Sequence, residues 1–198
     1  PSQSSAASDV YKRQAPTKVV VDTNDDPGVA GDGQISFQEY FVRHRHSIPV
    51  RELRLGASSA QPTREAIEAL TTADAVVIAP SNPFVSIGPI RALPHVDQIL
   101  AKRRTTVVAI SPIVGGDAVK GPAADMMERF GFQSNSAGIA EIYRNVCSHL
   151  IIDSKDTSLA SEVELAGMTT TVTNTMMGDA QVDANLARLT LAAADVAL

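Results

Sequence analysis

The sequence holds one cysteine, Cys147, among its 198 residues. No disulfide framework can therefore form within the chain, which suits a reducing cytoplasm. Cys147 stands just before the apolar run HLIID, where a buried, inert thiol is the expected state. Apolar runs long enough to span a bilayer are lacking, and so is a signal-peptide core. A basic excess is lacking too: 17 Lys and Arg stand against 22 Asp and Glu, for a net charge of −5. That balance excludes a broad positive field for nucleic acid, so an anionic ligand must be held by loop amides, helix N-termini and a few cations. The two standard nucleotide fingerprints, GxGxxG and GxxxxGK[ST], are absent, which disfavours a dinucleotide or P-loop site.

What is present is an ordinary globular composition, 44% hydrophobic and 20% charged, at a length that supports one sizeable domain. Residues 1–14, PSQSSAASDVYKRQ, are Ser/Ala-rich and aperiodic. They read as an extraneous or disordered leader, with the domain expected over 15–198, opening inside the strand-like run TKVVVDT. From Arg51 onward strand and helix signals alternate. RELRLG (51–56) alternates polar and apolar residues, and Pro62 is placed to open a helix through Ala66, Ile67 and Leu70. DAVVIAP (74–80), TTVVAIS (105–111) and HLIID (149–153) are short continuous apolar runs, the pattern of buried parallel strands. A helix through Val96, Ile99 and Leu100, another from Pro122 to Gly131, and shorter ones at 137–143 and 159–165 separate them. TTTVT (169–173) is a fourth strand candidate, and the Ala/Leu-rich end (181–197) is helix-prone. The expected fold is α/β: a Rossmann-like, mostly parallel sheet flanked by helices.

In such sheets ligands lie on the connections that leave the carboxyl ends of the strands. That rule points to 80–90, 111–122 and 153–156. In the first, Ser81 and Asn82 offer polar donors as the strand ends, Pro83 and Pro89 stiffen the path, and Gly88 permits close backbone approach. Ser86 is placed to cap a turn that presents free N–H groups to phosphate. Taken alone, this loop reads equally well as a stiff turn satisfying its own backbone. The second loop tilts the balance: Gly115 and Gly116 allow approach to a pyrophosphate, Lys120 supplies a point charge, and Gly121-Pro122 begins a helix.

Two other patterns carry less. DGQISFQE (32–39) resembles the second part of an EF-hand loop, but Gly28 and Ala30 would fill its first and third ligand positions, so the calcium reading fails. Ser36 and Glu39 instead read as a helix capping box, with Phe37, Tyr40 and Phe41 along one face. Asp22, Asp25 and Asp26 read as a solvated turn. Arg43, His44, Arg45 and His46 are cations suited to a helix C-terminus, and no metal site is expected of them.

The strings FQEYFVR (37–43), APSNPFVSIGPI (79–90), SPIVGGDAVKGPAADMM (111–127) and IID (151–153) occur in this order. Together they resemble the 2-phospho-L-lactate transferase family of coenzyme F420 biosynthesis, from about Thr17 to the C-terminus. The resemblance implies a magnesium-assisted transfer. A guanosine diphosphate-linked donor carries phospholactate or phosphoenolpyruvate, the acceptor is a hydroxyl of the deazaflavin Fo, and GMP leaves. It implies that Ser81, Asn82, Ser86 and Gly88 contact the donor nucleotide, with Gly115, Gly116 and Lys120 as a neighbouring phosphate wall. The Gly-rich first loop and acidic segments of the family do not precede Thr17. The chain is therefore expected to be the N-terminally truncated, C-terminal part of a transferase, inactive alone, with its catalytic and metal-binding residues elsewhere. A truncated sheet would also expose an edge suited to homo-oligomers. The alternative is a non-catalytic nucleotide or nucleotide-sugar binding regulator of the same superfamily, similar to the gluconeogenesis-factor proteins.

Overall fold

The structure, a computed structural model, describes residues 17–21, 33–45, 47–56, 60–118 and 122–195. The leader 1–14, the Asp22–Asp26 turn, the first positions of the rejected calcium loop, His46 and Lys120 lie outside the described residues. Two compact units are present: one from Pro1–Ile67 with Phe84–Val96, the other from Glu68–Pro83 with Asp97–Leu198.

In the first unit β1 (Thr17–Val21) is central, with β2 (Gln34–Ser36) and β3 (Val50–Leu55) on either side, both antiparallel to it. The strand at 51–55 is thus real but pairs with β1, outside the parallel sheet. Val19, Val20 and Val21 are all buried, as a central strand requires. The Ser36 hydroxyl accepts the Glu39 N–H at 3.0 Å, the expected N-terminal cap of the helical turn that follows. The Glu39 carboxylate turns to Arg43 at 2.9 Å, so this exposed cation is held four residues back along its own helix. Tyr40 is buried while Phe41 is 41% exposed, so the aromatic face is only half covered.

Residues 83–91 depart from the expected loop. Pro83–Ile87 is a π-helical turn and α2 (Gly88–Arg91) follows it directly; α1 is the earlier helix Arg64–Thr72. Each proline sits in the first turn of its helical segment, where a fixed φ is an advantage and the missing N–H costs nothing. Gly88 is not among the glycines at positive φ; its carbonyl accepts the Ala92 N–H at 2.9 Å.

In the second unit four strands run parallel in the order β4-β5-β8-β9: β4 (Val76–Ile78), β5 (Val107–Ile110), β8 (His149–Asp153) and β9 (Thr169–Thr173). The apolar runs behave as continuous hydrophobic strands should, since all of Val107–Ile110 and Leu150–Asp153 is buried. Between β5 and β8 lie a small hairpin, β6 (Ile113–Val114) and β7 (Asp117–Ala118), then α4 (Ala123–Arg129) and α5 (Ser136–Tyr143); α3 is Val96–Lys102. α4 ends in a paired turn at Gly131, φ +82°, where Gly131 donates to Glu128 at 3.0 Å and Phe132 to Met127 at 2.8 Å, as expected of a left-handed C-terminal stop. α6 (Ala160–Leu165) and α7 (Ala180–Ala193) complete the unit. Val108, Ile110, Ile151, Leu186 and Ala194 form one buried cluster in it. Cys147 is buried, its thiol directed to the carbonyls of Val107 and His149 at 3.1 Å each, the inert state expected of it.

Candidate functional site

Parallel pairing sends the connections after β4, β5, β8 and β9 out of one edge of the sheet. This is the edge where α/β folds place ligands. After β4, the Ser81 N–H donates to the Ala79 carbonyl at 2.7 Å, closing a tight bend that brings Ser81 and Asn82 to the edge. The Asn82 amide approaches the Met126 sulfur at 3.5 Å, a weak contact. After β5, Ser111 is buried; its hydroxyl accepts the Ile113 N–H at 3.2 Å and lies 3.3 Å from the Ser136 hydroxyl. Gly115 and Gly116 then make the two-residue turn of the β6–β7 hairpin, with φ +65° and +86°. Two successive positive φ values define the turn that matches strand twist, and glycine adopts both without strain.

The connection after β8 carries two buried carboxylates. Asp153, 3% exposed, accepts the Lys155 N–H at 3.0 Å on one oxygen. Its other oxygen accepts both the N–H and the hydroxyl of Thr175, at 2.8 and 3.1 Å. Burial alone would raise its pKa, but these donors and the Lys155 charge outweigh burial and hold the carboxyl below its ordinary range. Asp156, 4% exposed, accepts the Gly115 N–H at 2.9 Å, while its Oδ2 is buried without a hydrogen-bond partner. Here burial pushes the pKa up; the Gly115 N–H opposes it, the nearby Asp153 charge adds to the rise, and Lys155 opposes it.

Of the residues singled out from sequence, Ser81, Asn82, Gly115 and Gly116 therefore leave one edge of the second unit. Ser86 and Gly88 belong to the first unit, within helical segments, and Lys120 lies outside the described residues. The Gly115 amide is committed to Asp156. Asp153, Asp156 and Thr175 were not singled out, although the topological rule reached 153–156. The signal available was a D-x-x-D spacing directly after a buried apolar strand.

No group of three His, Cys, Asp or Glu residues that could hold a metal occurs among the described residues. Both Asp153 oxygens and one Asp156 oxygen already face protein donors. No helix of the described residues is long and apolar enough to cross a membrane.

A cleft of about 730 Å³ opens at the opposite edge, lined among others by Arg104, His149, Glu164, Thr169 and Asp195. Arg104, His149 and Thr169 in it already hold protein partners. Arg104 donates to the carbonyls of Arg144 and Gly167 at 2.6 and 2.5 Å. The His149 ring bridges the hydroxyls of Thr169 and Thr171, each at 2.8 Å.

The model of the family described as 2-phospho-L-lactate transferase CofD matches residues 11–190. The 2-phospho-L-lactate transferase of Methanococcoides burtonii is 37% identical over 158 residues, covering 79% of this chain and 51% of that protein. The phosphoenolpyruvate transferase of Streptomyces avermitilis is 38% identical over 163 residues, covering 81% of this chain and 51% of that protein. The chain thus spans about half the length of the curated relatives it matches. Among solved structures, protein BH3568 of Bacillus halodurans, a member of the upf0052 family, superposes with a TM-score of 0.58 at 12% identity. It covers 89% of this chain and 58% of its own, and shows the α/β fold.

Proposed function

The chain belongs to the 2-phospho-L-lactate transferase CofD family, and from that premise we propose that it serves transfer of a phospholactyl or phosphoenolpyruvyl group from a guanosine diphosphate-linked donor to the deazaflavin Fo. The acceptor hydroxyl oxygen forms a bond to the phosphorus that carries the lactyl or enolpyruvyl group. The bridging oxygen leaves with GMP, the acceptor's proton is released, and the product is coenzyme F420-0 or its dehydro form. Little covalent work falls to the protein in such a step; it holds the reacting groups in line and offsets phosphate charge.

The observation that carries this reading is the convergence of the Ser81-Asn82, Gly115-Gly116 and Asp153–Asp156 connections on one sheet edge. Ser81 and Asn82 are proposed as donor-nucleotide contacts, and Gly115, Gly116 and Lys120 as the phosphate wall. Magnesium would accompany the donor phosphates, which usually supply much of its shell. The chain spans about half the length of its curated relatives, and we propose that it carries the nucleotide part of the site, in the cytoplasm, and transfers nothing alone. The test is mass spectrometry of purified chain incubated with Fo, donor and Mg²⁺. No F420-0 is expected, and its formation at enzymatic rates would overturn the half-site reading.

A further inference from the structure

Gly115 and Asp156 are 41 positions apart in sequence, yet the amide of one donates to the carboxylate of the other at 2.9 Å. This contact joins the hairpin turn after β5 to the turn after β8. Asp153 makes the next join: it caps the turn after β8 through the Lys155 N–H and holds the segment after β9 through two bonds from Thr175. Three neighbouring strands therefore have their outgoing connections tied by two buried carboxylates.

The arrangement is costly as a purely structural device. A buried carboxylate with one oxygen unpaired forfeits hydration that one N–H does not return. Its neighbour Asp153 is a like charge, and Lys155, the cation acting on both, is itself exposed. With its amide engaged, Gly115 cannot give that proton to a phosphate as well. Its part is to be placed, together with Gly116, whose added Cβ would meet nothing within 4 Å.

We propose that Asp153 and Asp156 form a clasp across the β5, β8 and β9 connections, and that Asp156 is the positioning residue on which affinity for the diphosphate of a nucleoside diphosphate depends. The inference rests on the nucleotide-site reading above.

The test uses the chain as it stands, with GDP as the probe. Amide hydrogen exchange of Gly115 is measured by NMR beside GDP titration calorimetry, in wild type, Asp156→Ala and Asp156→Asn. In Asp156→Ala, Gly115 exchange should accelerate about tenfold or more and GDP affinity should fall about tenfold, the effect of one lost hydrogen bond. Exchange at Val108 and Ile151 should be unchanged. Asp156→Asn keeps an acceptor oxygen and should restore both readouts to near wild type. Should the alanine variant not fold, Asp156→Leu, similar in volume and without an acceptor, takes its place. Unchanged GDP affinity in Asp156→Ala, unchanged Gly115 exchange, or failure of asparagine to rescue would each overturn the proposal. If wild type binds no GDP, the nucleotide-site reading fails instead, and the Gly115 exchange rates alone support or overturn the clasp.

Discussion

One oxygen of Asp153 accepts two hydrogen bonds from Thr175, from its N–H at 2.8 Å and from its hydroxyl at 3.1 Å. The contact spans 22 positions and fixes where the chain goes on leaving β9. Replacing Asp153 by alanine leaves three donors without their acceptor, those two and the Lys155 N–H. A stability loss of about 2–4 kcal/mol is expected by urea denaturation. The folded pKa of Asp153 lies below its ordinary 3.8. Its contribution is therefore full above about pH 4 and lost as pH falls through the folded value. Asp156 has the opposite sign, because its folded pKa is raised. Its charge disfavours the fold at neutral pH, and acidification relieves it. Denaturation midpoints of Asp153→Asn and Asp156→Asn should therefore diverge at pH 7, the first lowered and the second unchanged or raised.

His149 should stay neutral at pH 7. Burial holds its pKa below the ordinary 6.5, and a neutral imidazole has the one donor and one acceptor that the Thr169 and Thr171 hydroxyls can match. Stability tied to this neutral ring is complete above pH 6.5 and is lost as pH falls through the depressed folded pKa. The melting temperature of wild type should fall between pH 7 and pH 5, and His149→Gln should flatten that slope. A ring that titrates at or above pH 6.5 by NMR would refute the assignment.

Gly138 is required by space. A Cβ there would lie 2.0 Å from the Gln133 carbonyl oxygen and 2.9 Å from the Met127 methyl. Alanine normally gains about 1 kcal/mol over glycine within a helix. Here the clash with backbone decides the sign, and Gly138→Ala should destabilise by about 2 kcal/mol or more. Chemical denaturation measures it directly, and a stabilised variant would show that α5 can shift.

Much of the second unit was legible because its strands are buried on both faces and so appear as unbroken apolar runs. Gly131 was legible for a local reason, the left-handed stop of α4. Residues 83–91 misled because proline reads as a breaker, whereas Pro83 and Pro89 occupy first turns that tolerate it. The β6–β7 hairpin has two residues per strand, too few to show any period. The pairing of β3 with β1 is non-local, since the alternation in RELRL announces a strand and not its neighbour. The same holds for the site. Ser81, Asn82 and the two glycines are visible as loop chemistry, but Asp153 and Asp156 gain their roles from partners 22 and 41 positions away.

This sheet edge is expected to bind the nucleotide of a guanosine diphosphate-linked donor. Titration calorimetry of the purified chain with GDP tests it most directly, in wild type and in Asn82→Ala and Lys120→Ala. Saturable binding is expected, weakened about tenfold by loss of the Asn82 amide. Loss of the Lys120 charge should weaken it too, and the Lys120 effect should shrink as salt rises. Absence of binding, or affinity unchanged in both variants at moderate salt, would contradict the account.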